Sequence, residues 1–147
     1  MTDPLVSHLA TLSSVWNYAV GSGPIMPGNS ATIQITTQRR SPYISAVGML
    51  AVTNDAIFAV RAVKAPHFGE VMVEAEAYDA GSEANSESCT YIPGPPCENA
   101  GVRDTAEAEG FVHVHAGIHG IGDLDPAMHD WRNPVAEIII KRVSQTQ

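Results

Sequence analysis

The sequence predicts a mainly β fold, an antiparallel β-sandwich with one N-terminal amphipathic helix. Three observations predict it. After Ser30, apolar and polar residues alternate with a two-residue period, the pattern of strands with one buried face. Turn residues interrupt that pattern at short intervals, as at Thr53-Asn54-Asp55 and Pro66 to Gly69, which is the rhythm of an all-β domain. A sustained helical period occurs only near the start.

That first element opens at Asp3-Pro4, an N-cap acceptor followed by proline at the first helical position. Leu5, Leu9, Leu12 and Trp16 then recur at helical spacing, predicting about four turns that end before Gly21 and Gly23. Ser22 to Asn29 is a glycine- and proline-rich loop. Ala31 to Thr37 sets Ile33 and Ile35 against Gln34 and Thr36, a half-buried strand that Arg39 to Pro42 ends. Tyr43 to Val52 is apolar enough for a strand buried on both faces. Ile57 to Val63 is the next strand. Val71 to Ala77 alternates Val71, Val73, Ala75 and Ala77 against Met72, Glu74 and Glu76. Tyr78 to Glu109 is a long loop of Gly, Ser, Pro, Asn and Glu, and a loop this long inside a domain is usually functional. Phe111 to His115 is a strand, Asp125-Pro126 opens a short helical turn, and Val135 to Val143 is the last strand. Ser144 to Gln147 reads as a frayed tail.

The 147 residues make one domain with chain enough for one core: helix and loop over 1–29, sandwich over 30–143. Eight basic residues against 16 acidic give a net charge of −8, which argues against nucleic acid or an anionic membrane as partner and suits cations. No apolar run reaches the ~20 residues of a membrane-spanning helix. The start lacks the basic-then-apolar pattern of a secretion signal, so either the protein stays inside or a signal has been removed. Cys89 and Cys97 flank Pro93, Gly94, Pro95 and Pro96. A proline-rich loop pinned by a disulfide fits an exported protein, extracellular or periplasmic; two free thiols fit a cytosolic one.

Gly110 to Pro134 holds four of the six histidines, His113, His115, His119 and His129, and the acids Asp123, Asp125 and Asp130. His113 and His115 share a strand face, and the glycines beyond turn the chain so that His119 can return. Three imidazoles of this kind suit zinc or copper, with Asp123 or His129 as outer partner or fourth ligand. The plainer alternative is a cluster that hydrogen-bonds its own loop. Oxygen donors gather elsewhere: Thr53, Asn54 and Asp55 in one loop, Asp79, Glu83 and Asn85 in another. Carboxylates from separate loops at one end of a sandwich suit calcium, although solvated turn acids give the same spacing. Glu74 and Glu76 share a strand face, as exposed acids do. The chain has no Gly-x-Ser-x-Gly nucleophile elbow, no phosphate-binding Gly-x-x-x-x-Gly-Lys and no Cys-x-x-Cys. Arg132 pairs with a nearby acid and stacks on Trp131.

Thr-Asn-Asp at 53–55, Tyr-Asp-Ala-Gly-Ser-Glu at 78–83 and the run from Gly110 to Ala136 together resemble the spondin-N domain family, specifically its bacterial exported members. The resemblance spans Ser30 to Val143. It implies an antiparallel β-sandwich with calcium held at one end by acids from two loops: Asp55, Asp79 and Glu83, the last where animal members usually have Asp. It implies no role in that site for the histidines. Family members usually carry further strands before the region matching Leu5 to Gly28. Without them one sheet keeps an open edge, for a homo-oligomer or a strand-donating partner to fill.

Two functions follow as expectations. One is a calcium-stabilised binding or adhesion module. The other is a copper or zinc enzyme or carrier built on His113, His115 and His119, in which a zinc-bound water would serve as nucleophile.

Overall fold

β3, Glu70–Asp79, is the spine of the fold. In this computed structural model, which describes residues 3–143, the other strands are β1 (Tyr43–Met49), β2 (Ala56–Lys64), β4 (His113–Val114) and β5 (Ala136–Lys141). They form one five-stranded, mainly antiparallel sheet of order β1-β2-β3-β4, with β5 also on β3. The C-terminal half of β3 takes β2 in the register Ala56↔Asp79 to Ala59↔Glu76 and β4 in the register Tyr78↔Val114 and Asp79↔His113. Its N-terminal half takes β5, from Glu70↔Lys141 to Ala75↔Ala136. The alternation expected along β3 holds: Ala75 and Ala77 are buried while Met72, Glu74 and Glu76 are exposed.

By its internal contacts the chain divides into two compact units, Met1–Ile44 and Ser45–Gln147. Within the first unit the helix α1 covers only Asp3–Leu9, short of Trp16. Thr11 supplies the reason. Its hydroxyl bonds the His8 carbonyl at 2.7 Å, and the Ser13-Ser14-Val15 run that follows favours helix poorly. Ala31 to Thr37 forms no ladder. The one bridge nearby, Gln38↔Ser41, closes the Arg39-Arg40 turn. A β-branched, alternating segment becomes a strand only when another strand bonds it.

β1 alternates exposed and half-buried positions rather than burying both faces. Gly48 has no side chain because the Phe58 ring fills that place. From Ala80 to Val112 no strand forms, as the long-loop reading expects. A small apolar cluster of Ile92, Ile118 and Leu124 sits within the loops, packed by Val52, Cys97 and Trp131. Cys89 and Cys97 are joined as a disulfide. The helix α2, Pro126–His129, starts on an Asp125 cap whose side chain accepts from the Ala127 N–H. Arg132 pairs with Asp130 at 2.9 Å, and Trp131 packs against the His115 ring, centroids 5.0 Å apart. Ser144 to Gln147 lie outside the described residues.

The disulfide closes a loop of sequence separation 8 around Ile92, the centre of the cluster. Chain entropy assigns such a closure about 2.5 kcal/mol. Urea unfolding with and without a dithiol reductant is expected to differ by about 2–3 kcal/mol; equal midpoints would place the loop's stability elsewhere.

Candidate functional site: a buried carboxylate pole

The turn after β1 and the loops after β3 and β4 meet at one end of the second unit, and the side chains that join them are acids. Thr53 locks the first turn: its hydroxyl donates to Leu50 O at 2.6 Å and accepts from the Ala56 N–H at 3.0 Å. This holds Asn54 and Asp55 facing the second loop. Asp55 Oδ2 accepts from the Ser82 N–H at 2.7 Å, the Ser82 hydroxyl at 2.8 Å and the Glu83 N–H at 2.9 Å. Asp55 Oδ1 is buried and has no partner. Asp79, fully buried, accepts from the Gly81 N–H on Oδ1 at 2.5 Å and from the Asn85 amide on Oδ2.

Glu83 is also buried, and its carboxylate is paired separately. Its Oε1 meets Arg103 Nε at 2.7 Å and its Oε2 accepts from the Asp104 N–H at 3.4 Å. The three carboxylates named from the sequence therefore separate into Asp55 with Asp79, and Glu83 with Arg103.

The histidines also separate. His113 Nε2 lies 3.9 Å from Asp79 Oδ2. His115 is buried: its Nδ1 accepts from the Gly117 N–H at 3.0 Å, so Nε2 carries the proton and donates to Asn85 Oδ1 at 3.0 Å. Asn85 in turn donates to Asp79, giving a directed chain from imidazole to amide to carboxylate. His119 has an exposed side chain, and its backbone N–H is bound by Glu87. Asp123 accepts from the Cys89 N–H at 2.8 Å, and His129 Nδ1 accepts from the Asp125 N–H at 3.1 Å. Among the described residues, no group of three or more His, Cys, Asp or Glu side chains converges as a metal-ligand set.

Sequence reasoning missed Glu87. This buried carboxylate accepts from the His119 N–H at 2.6 Å, the Gly120 N–H at 2.7 Å and the Ile121 N–H at 3.0 Å. Its own N–H donates to Asn54 Oδ1 at 3.3 Å. One residue, through its main-chain N–H on one side and its carboxylate on the other, thus ties the turn after β1 to the histidine loop. No local pattern in the sequence marks it; in the fold a Cβ at Gly122 would stand 2.5 Å from the Ser86 and Glu87 carbonyl oxygens, so the two loops run too close there for any other residue.

Burial dominates the titration of His115 and lowers its pKa from the ordinary 6.5; Asp79 and Asp55 pull it up, His113 pushes it down, and Glu87 pulls it up. Asp130 is held below the usual carboxylate range by the Ile118 and Trp131 backbone N–H groups, and then by Arg132. No protein-family model matches the chain, and no curated protein or solved structure matches it.

Two outcomes are expected. Glu87→Gln puts an amide NH₂ against backbone donors, and its cost is about 1–3 kcal/mol in urea unfolding. His115 has a folded-state pKa below its unfolded one, so below pH 6.5 the unfolded chain takes up the proton first. Its contribution to stability is complete above that pH and is lost as pH falls toward the folded value. His115→Gln should flatten that part of the stability–pH curve; an unchanged slope would overturn the assignment to His115.

Proposed function

We propose that this chain is an exported β-sandwich domain of the spondin-N type whose acidic pole holds calcium, and that the cation fixes the loops of a binding or adhesion module. One observation carries the reading. Asp55 Oδ1 is a buried carboxylate oxygen without a partner, and the next residue, Ala56, stands opposite the fully buried Asp79 in the ladder. An unpaired anionic oxygen away from water is costly, and a cation removes the cost. Among the described residues, Arg103 is the one Lys or Arg side chain paired with a buried acid, and it is paired with Glu83.

The donors fit a hard cation. They are carboxylate oxygens from two loops, with the Asn85 side-chain amide alongside, and oxygen ligands suit calcium rather than copper or zinc. Asp55 and Asp79 are the residues that would hold it. Glu83 does not fit as a third ligand, because the Arg103 guanidinium already neutralises its carboxylate, whereas the donors to Asp79 are neutral and leave its charge and further lone pairs for a cation; the part of Glu83 is to brace the loop that Asp55 clamps. Calcium would supply charge compensation and loop order, with main-chain carbonyls and water completing its 6–8 oxygens. His115 has both ring nitrogens engaged, which favours a structural part for it over metal ligation.

The disulfide supports an exported location. No helix among the described residues is long and apolar enough to cross a membrane.

Thermal melts in chelator and in millimolar calcium test the reading. At a hundred times its Kd, calcium adds about 2.7 kcal/mol, or about 5–10 °C in Tm. Asp55→Asn should abolish that rise. A melt identical in chelator and calcium would overturn the calcium reading, as would a full response in the Asn variant.

A further inference from the structure

β5 is an edge strand. Among the described residues it pairs only with β3. The Arg142 N–H donates to Gly69 O, continuing that ladder. By the two-residue alternation of an antiparallel pair, the even-numbered residues of β5 bond to β3, so Glu137, Ile139 and Lys141 turn their N–H and C=O groups to the open side. Their side chains are exposed as well, Ile139 at 54%. Its partner across β3, Met72, is 58% exposed.

Glu137 is badly placed within its own sheet. It stands directly opposite Glu74, and like charges in that position repel. Neither acid has an ion-pair partner among the described residues. Lys141 reaches Glu70 only at 4.0 Å, with both side chains more than half exposed.

We infer that β5 is a self-recognition edge, and that two copies of this chain join antiparallel along it with Ile139 opposite Ile139 of the second copy. The sequence Glu137-Ile138-Ile139-Ile140-Lys141 is self-complementary in that register. Each Glu137 faces the other copy's Lys141, and the outward main-chain groups of all three odd residues meet as hydrogen-bonded pairs, about six bonds in all. Glu74, Glu137 and the incoming lysine then form an acid–acid–base row that relieves the Glu74–Glu137 repulsion. Met72 and Ile139 of each copy make one apolar stripe across the junction. Sliding the register by two residues breaks the charge pairing, and sliding it by four sets Glu137 against Glu137 or Lys141 against Lys141. The twofold arrangement closes on itself, so it yields a dimer and not a fibre.

Sedimentation equilibrium of the 147-residue chain over a wide concentration range tests this, with Glu137→Lys, Lys141→Glu and the double exchange. The wild type is expected to sediment at twice the chain mass. Each single exchange should weaken the dimer at least tenfold, and the double should recover it. Glu137→Lys also ends the clash with Glu74, so its monomer should melt no lower than wild type, which separates loss of dimer from loss of fold. A wild type that stays monomeric overturns the inference. So does a dimer indifferent to the single exchanges, or a double no better than either. None of these results depends on calcium.

Discussion

The loop end of the second unit depends on buried carboxylates that accept main-chain N–H groups, and Glu87 is the most heavily engaged. Three consecutive amides, from His119 to Ile121, converge on it. Such donors suit an anion because each N–H left unpaired in a buried loop carries a penalty. Asp55 does the same for Ser82 and Glu83, Asp79 for Gly81, and Asp130 for Ile118. The long segment between β3 and β4 has few apolar residues to bury, and its cluster is only Ile92, Ile118 and Leu124 with their neighbours. Hydrogen bonds to fixed acids, with one disulfide, supply the order that a larger core would otherwise give.

This mode of construction concentrates negative charge. Backbone donors lower the cost of each buried carboxylate, and because they carry only partial charges they leave its net charge in place. Arg103 compensates Glu83 alone. His115 is driven toward its neutral form by burial, so it gives Asp79 a hydrogen-bonded neighbour through Asn85 and no charge. The pole is therefore stable in shape and unbalanced in charge, and the unpartnered Asp55 oxygen is where the imbalance is most local.

Much of the sheet was legible in the sequence. Val71, Val73, Ala75 and Ala77 announced β3 by alternation, and Asp125-Pro126 announced α2. The site was legible only in part. Asp55 and Asp79 could be named because each ends a strand or turn, where local sequence determines the position. The pairing of Glu83 could not be read, since its partner Arg103 lies 20 residues away in a loop without periodicity. The histidine strand carried a different lesson. Its alternation was read correctly, but the polar face turned inward: His115 is buried and Val112 and Val114 are exposed. Period alone fixes which side chains share a face; which face is buried is decided by the strand opposite, here by Asp79 against His113. Ala31 to Thr37 shows the converse, a strand pattern without a ladder, because pairing is a property of two segments.

The same distinction separates the two ends of β3. At its C-terminal end, Asp79 sits among loops that satisfy nearly every polar atom, and change there is resisted by geometry. At its N-terminal end, β5 leaves a row of main-chain groups and alternating charges to water. Natural edges are usually blunted by bulges, proline or inward-pointing charge. Here the lysine that would deter pairing stands on the same face as a glutamate two positions from the central isoleucine, on its other side. That arrangement deters pairing with an arbitrary strand, which leaves one charge opposed by nothing, and it favours a strand that repeats the same charges in reverse. An antiparallel copy of β5 is such a strand. The device that protects the edge from non-specific pairing is therefore also the one that specifies its partner.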